Sequence, residues 1–417
     1  MWYAWIDAQR NLVRQVGSLG SYMFAGYDWI SQLLQPPPAV PGFDIAAVNI
    51  DGNEVPVVEQ VVDRIPFCEL RRFSLESGAA LPPARRAAPS ILICAPLAGH
   101  HAVMLRDMVE TLLEDGDVYL TDWADARDVP LNDGDFGLDD YVLAVERFLR
   151  KIGRERIYVI AVCQAAAPAI AALALTAGDG ATPAAALTLM GGPVDTRINP
   201  TALARFAQSH SVDWFRLALI DTVPPPYAGA GRRVYPGFYQ QAAMIAAFPQ
   251  HKWQLEASYW SNWAAGNVEG IARSLRSLGD YAAVLDMNER YFLDTIRVLF
   301  QEQWLARGEW RIGARLVRPQ ALSSLALCTI EGDRDNVTGT GQTHAAHALR
   351  DAMPGSRQLQ NTIADCDHYG LFSGRRWRDT VHPALTQFWN SLSTSIDPGD
   401  ATAAPRRFVQ SGAYSSG

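Results

Sequence analysis

The sequence predicts an α/β fold, a mainly parallel sheet covered by helices on both faces. Two observations carry this reading. From about residue 55 onward, short β-branched runs alternate with helical patterns: "VPVVEQVVD", "CELRRFS", "SILICAPL", "DVYLTDW", "IYVIAV", "ALTLMGGPV", then after a long gap "LALCTIEGD" and "RQLQNTI". Such alternation suits strands buried between helical layers. The second is size and composition: 417 residues, 48% hydrophobic and 19% charged, suffice for one catalytic domain enlarged by an insertion.

The elements follow in order. Residues 1–40 are aromatic-rich, with Trp2, Trp5, Tyr22, Phe24, Tyr27 and Trp29, and predict a helical segment closed at Pro36-Pro37-Pro38. It either packs on the main domain or offers an aromatic surface to something hydrophobic. Residues 41–195 form the first part of the core. Its legible helices are "MLRDMVETLLEDG" and "LDDYVLAVERFLRKIG", the latter acidic at its start and closed by Arg150, Lys151 and Gly153. Residues 196–315 break the rhythm and read as an inserted cap, carrying Trp214, Trp253, Trp260, Trp263, Trp304 and Trp310. Inserted there, the cap rises over the carboxyl ends of the strands, where open α/β sheets bind ligands. Its tryptophans either form an aromatic lid for an apolar or polymeric substrate or fill the cap's own core. Residues 316–395 complete the α/β core, and the polar, small-residue tail 396–417 predicts disorder.

A net charge of −8 without a basic stripe argues against a nucleic-acid partner. Five cysteines, Cys68, Cys94, Cys163, Cys328 and Cys366, fit neither a disulfide framework nor a zinc pattern and favour a reducing compartment. With no signal-peptide pattern and no apolar run of membrane-spanning length, the expectation is a cytoplasmic protein without a transmembrane segment.

The chemistry centres on "IYVIAVCQAAAPAIAALAL", residues 157–175, a buried strand that passes through a cysteine into an alanine-rich helix. In α/β-hydrolase folds the nucleophile sits on such a turn, usually G-x-S-x-G. Here the five residues are Ala161-Val162-Cys163-Gln164-Ala165, with cysteine for serine and alanine for both glycines. By itself the match is weak, because a cysteine ending a buried strand is usually an inert small hydrophobe. The order nucleophile, acid, histidine strengthens it. "EGDRDNVTG" offers Asp333 and Asp335 after one strand, and "ADCDHYGLF" offers His368 after the next. In this arrangement His368 accepts the thiol proton while a carboxylate fixes its tautomer. Asp335 is the favoured acid, since Asp333 falls in the tight turn at Gly332.

The loop in "CAPLAGHH" supplies an oxyanion amide in this fold, so backbone N–H groups of Leu97 or Ala98, with that of Gln164, form the expected oxyanion hole. His100 and Trp123 are candidate substrate contacts, with a structural role open for His100. His344 and His347 lack a third ligand, so no metal is expected. Gly191-Gly192 reads as a strand-end turn, and no dinucleotide or P-loop fingerprint exists.

The chain resembles the intracellular poly(3-hydroxybutyrate) depolymerases. The resemblance is carried by "CAPLAGHHAVMLRDMVETLLEDGDVYLTDWADARDVPLNDGDFGLDDYV", "VIAVCQAAAPA", "LMGGPVDTRINPT", "TIEGDRDNVTGTGQTHAAH" and "DHYGLFSGRRWR". It implies a cysteine nucleophile at Cys163 with partners Asp335 and His368. It also implies a soluble protein found on polymer granules that hydrolyses the amorphous polymer to 3-hydroxybutyrate and oligomers. No cofactor is implied, although coenzyme A serves some members as acyl acceptor. Two rivals remain. Polyhydroxyalkanoate synthases resemble G-x-C-x-G-G at the elbow, where this chain reads A-V-C-Q-A-A, and a non-catalytic granule-binding protein would lack a triad member.

Overall fold

The computed structural model describes residues 40–76, 88–153, 156–181, 184–247, 249–350, 355–394 and 406–410. The expectation for the N-terminal aromatic segment therefore lies outside the described residues. The main sheet begins with β1 (Ala47–Ile50), β2 (Asn53–Ile65), β3 (Cys68–Leu75), β4 (Ser90–Cys94), β5 (Asp117–Trp123), β6 (Ile157–Val162) and β7 (Ala186–Met190). It is completed by β8 (Ala326–Gly332), β9 (Gln358–Ile363) and β10 (Arg406–Gln410). Their spatial order is β1-β2-β3-β5-β4-β6-β7-β8-β9-β10. β1, β2, β3 and β5 pair antiparallel in sequence, and every pair from β5·β4 to β9·β10 is parallel.

The parallel strands are the least polar. β4, β6 and β7 are buried along their whole length, as strands covered on both faces must be. One cover is α1 (Arg106–Leu112), another α2 (Leu138–Ile152). In α2 Asp140 Oδ2 accepts from Gly137 N at 2.7 Å, and Gly153 closes the helix at φ +57°, a conformation that glycine adopts without strain. α3 (Ala166–Gly178) follows β6 and is buried nearly all round, which explains a composition dominated by Ala, Leu and Ile in place of an amphipathic stripe. Its Pro168 lies in the first turn, where a missing N–H costs nothing.

Between β7 and β8 the chain leaves the sheet. It forms α4 (Ala202–Ser209), α5 (Val212–Leu219), α6 (Gly237–Ala247), α7 (Pro249–Ala264), α8 (Val268–Ala282) and α9 (Glu289–Thr295). Three short strands, Asp221–Thr222, Arg233–Tyr235 and Met287–Asn288, tie these helices together. α10 (His382–Thr394) returns to the core, where Leu385 and Trp389 are buried.

One expectation for the tail is corrected. Within 396–417, read as disordered, Arg406–Gln410 forms β10 and pairs in parallel with β9. The segment "RRFVQ" brings β-favouring Phe408 and Val409 to a sheet edge whose backbone groups need partners.

Candidate active site

Cys163 stands one residue beyond β6, at the start of a 3-10 turn (Cys163–Ala165) that runs into α3. Its φ is +52°, in the left-handed region that costs a non-glycine residue on the order of 1–3 kcal/mol. Such strain persists only where the surroundings over-determine it. Here they do, because β6 is locked between β4 and β7 and α3 is packed on all sides. The bend lifts the thiol out of the ladder, partly exposed, while Ala161, Val162 and Ala165 on either side are wholly buried.

The neighbouring strand leaves room for the start of the helix after the turn. A Cβ placed on Gly192 would fall 2.2 Å from the Ala166 Cβ and 2.7 Å from the Cys163 carbonyl oxygen. The close approach that this turn requires is thus provided by Gly192, just after β7. Its neighbour Gly191, at φ +55°, lies under the acid and histidine: a Cβ there would come 3.2 Å from His368 Cε1 and 3.3 Å from Asp335 Oδ2. The pair does more than end a strand, which the sequence reading missed. The available signal was the coincidence of two glycines beside an elbow that lacked its own.

The structure brings Cys163, His368 and Asp335 together. His368 Nδ1 lies 2.7 Å from Asp335 Oδ2, and Cys163 and His368 line the same cavity, near enough for the sulfur to act on the His368 ring. Asp335 Oδ1 accepts from the amides of Val337 at 2.8 Å and Thr338 at 2.9 Å, so the carboxylate cannot rotate away. Asp333 instead accepts from Cys366 N at 3.1 Å, joining the two loops that carry the acid and the histidine. Burial works against the charged form of the His368 ring, but the Asp335 carboxylate and Cys163 sulfur, through charge and hydrogen bonding, hold its pKa well above the ordinary imidazole value.

The other expected residues divide. Gln164 reaches the site as a clamp: its Oε1 accepts from Ala98 N at 3.0 Å and from the Tyr291 hydroxyl at 2.9 Å. Ala98 is therefore corrected as an oxyanion donor, because its amide is already committed. In the same loop Ala95 N donates to Thr121 and Gly99 N to Gln240, and Pro96 has no N–H. Leu97 N–H has no protein acceptor among the described residues and, with Gln164 N–H, is the pair left for an oxyanion.

Trp123 is also corrected. It is 2% exposed, stacks on Tyr141 at 4.2 Å and donates from Nε1 to Ala95 O at 2.9 Å, so it braces the loop after β4 and does not line the cavity above Cys163. His100 does line the catalytic cavity, with Nε2 3.1 Å from the Tyr369 hydroxyl; burial foremost, then the neighbouring histidines, lowers its pKa to about 3 and keeps it neutral. His344 and His347 share the Thr329 hydroxyl. Among the described residues no cluster of three His, Cys, Asp or Glu side chains could hold a metal ion.

The cavity above Cys163 measures about 290 Å³. Core loops give it Cys163 and His368, and the cap gives it Leu203, Met244, Phe292 and Phe300. Of the six cap tryptophans none lines it. Trp310 is buried on α2, bonded to Asp139, while Trp253, Trp260 and Trp263 are 73%, 60% and 61% exposed along α7. The apolar lining comes instead from Phe, Met and Leu, which the sequence reading passed over.

Residues 191–393 match the family model described as PHB de-polymerase C-terminus. No curated protein matches the chain. Similar solved structures include a thermophilic esterase from Thermogutta terrifontis, 12% identical, covering 81% of this chain and 98% of that one with a TM-score of 0.44. An epoxide hydrolase from Bacillus megaterium is 11% identical over 79% of this chain and 100% of its own, also at 0.44. A bromoperoxidase from Bacillus anthracis is 10% identical over 80% and 99%, at 0.43. Among the described residues no helix is long and apolar enough to cross a membrane. By strand order and by the turn at Cys163 the chain has the α/β-hydrolase fold, and its residues 191–393 match the PHB depolymerase C-terminal family.

Proposed function

We propose that the protein is an intracellular depolymerase that hydrolyses ester bonds of amorphous poly(3-hydroxybutyrate), with Cys163, His368 and Asp335 as its catalytic residues. The observation that carries this reading is the strained turn holding Cys163 against the buried His368–Asp335 pair, under an apolar cavity. The family match supports ester hydrolysis as the reaction class.

The chemistry is a two-step acyl transfer. His368 takes the Cys163 thiol proton as the sulfur attacks the ester carbonyl carbon, and the tetrahedral oxyanion faces the amides of Gln164 and Leu97. As the C–O bond breaks, His368 gives its proton to the departing alkoxide, leaving a thioester. Water then attacks the thioester while His368 takes a proton from it; the C–S bond breaks, His368 returns that proton to the Cys163 sulfur, and the hydroxy acid leaves. Asp335, fixed by two backbone amides, stabilises the imidazolium in both steps. Coenzyme A in place of water would give an acyl-coenzyme A product by the same route.

A water-insoluble substrate requires adsorption to its surface. Trp253, Trp260 and Trp263, spaced along the outer face of α7, suit contact with the granule in a cytoplasmic setting.

The test incubates the purified protein and Cys163→Ala with amorphous granules and follows 3-hydroxybutyrate. Release by wild type and none by the variant is expected, and equal release overturns the reading. Polymer growth from 3-hydroxybutyryl-coenzyme A would assign synthesis instead, and an acyl-coenzyme A product on adding coenzyme A would identify thiolysis. Serine at all three α7 tryptophans is expected to weaken co-sedimentation with granules.

A further inference from the structure

A second cavity, of about 590 Å³, lies beyond Tyr369 and differs in chemistry from the first. Met104 and Tyr369 line both, and Tyr369 stands between them with its ring stacked on His251 at 4.3 Å. Six arginines reach its wall, Arg106, Arg273, Arg276, Arg375, Arg376 and Arg378, against four lining carboxylates. Three are answered by carboxylates: Arg106 by Asp280, Arg378 by Asp107 and Arg375 by Asp379. Arg273 and Arg276, one turn apart on α8, make no ion pair within contact distance of a described carboxylate, although Arg276 feels Glu110 and Asp280 through space. Arg106 is 6% exposed, and its buried Nε has no acceptor among the described residues. A buried guanidinium donor without a partner is costly.

We infer that this cavity is a carboxylate subsite, which holds the acid end of the chain that departs when the ester is cleaved. The inference rests on the proposed esterase reaction and on the polarity of a polyester. When the Cys163 sulfur bonds to the carbonyl carbon, the acyl half stays on the enzyme. The alkoxy half leaves, and it is the half whose far end is a free carboxylate. The departing oxygen takes its proton from His368, so the leaving chain emerges beside that ring. Tyr369 is the next residue, and the arginine-lined cavity opens behind it. A phosphate-bearing thiol acceptor would offer the same anionic chemistry from another source.

The substrates that test this are a linear trimer of 3-hydroxybutyrate as its free acid and the same trimer with its acid end as a primary amide. Wild type is expected to favour the free acid about tenfold in kcat/KM, through KM, and Arg273→Gln/Arg276→Gln to bring that ratio close to one. A ratio near one in wild type, or a preference that survives in the double variant, overturns the inference. Cleavage of the amide trimer by wild type but not by Cys163→Ala keeps the proposed function independent of this outcome. Calorimetric binding of 3-hydroxybutyrate to the Cys163→Ala protein needs no turnover. It is expected to weaken about tenfold when both arginines are replaced, and equal affinity overturns the inference. A third arm adds phosphopantetheine. If the double variant loses stimulation by this thiol while 3-hydroxybutyrate binds as before, the cavity serves the acyl acceptor and the inference falls.

Discussion

Two cysteines end neighbouring parallel strands of the same sheet and have opposite characters. Cys94 is the last residue of β4 and pairs in register with Ala161 of β6; it is fully buried, and desolvation pushes its thiol up to about 12. Cys163 lies two residues beyond Ala161. That offset carries it past the ladder into a left-handed turn, where the sulfur is partly exposed and meets the His368 ring. Residue type and strand position are nearly the same, so neither makes a nucleophile. The difference lies in the turn, in the glycine pair that makes room for it, and in two loops arriving from β8 and β9.

The contrast is most directly broken at the two thiols. Cys163→Ala is expected to lower ester hydrolysis by about 10⁴-fold or more. Cys94→Ala is expected to retain hydrolysis and lose on the order of 1 kcal/mol in denaturant unfolding. Comparable activity losses in the two variants would erase the distinction. Mass-spectrometric mapping after brief iodoacetamide treatment of the native protein should find the label on Cys163 and not on Cys94.

The next largest effect belongs to the acids. Asp335→Asn is expected to reduce kcat by roughly 10²- to 10⁴-fold, since the amide misdirects the imidazole tautomer. Asp333→Asn touches only the loop contact with Cys366 and should cost less than about tenfold in the same assay. Reversal of that ranking would move the catalytic carboxylate to Asp333.

The glycine pair gives a stability effect. Gly192→Ala forces a methyl group against Ala166 and the Cys163 carbonyl, and is expected to cost about 1–3 kcal/mol with a parallel loss of kcat. Unchanged melting and turnover would show that the turn does not depend on this approach.

The smallest effect is in the pH dependence of stability. His368 has its pKa raised in the folded state, after burial is outweighed by Asp335 and Cys163, so its contribution is complete below the unfolded imidazole pKa of about 6.5. It fades as pH rises through the higher folded value. The melting-temperature gap between wild type and Asp335→Asn should therefore be widest near about pH 6 and narrow toward alkaline pH. A gap that widens with pH would contradict a charged His368 held by Asp335.

Much of this was legible along the chain. Runs such as "SILICAPL" and "IYVIAV" became β4 and β6 because an unbroken β-branched segment can be stable only between two covering layers. Cys163, Asp335 and His368 were legible as candidates because each follows a strand, and parallel strands deliver their following loops to one edge of the sheet. The side-chain details were not. Gln164 clamps the Ala98 amide, Trp123 braces Ala95, and the cap presents Phe292 and Phe300 to the cavity while its α7 tryptophans face solvent. Each depends on where distant segments come to lie, and no local period records that.

The layered α/β architecture and the candidate nucleophile, acid and histidine could be read along the chain, because burial and strand order follow from local patterns. Tertiary structure alone decided which thiol is strained into reach of an imidazole, which loop amides remain open to an oxyanion, and which cap residues meet the cavity. It also placed Gly192 against the alanine-flanked turn and set the arginines of α8 beyond Tyr369. The physical reason is that these outcomes are contacts between segments remote in the chain, where a few ångströms separate a hydrogen bond from a clash.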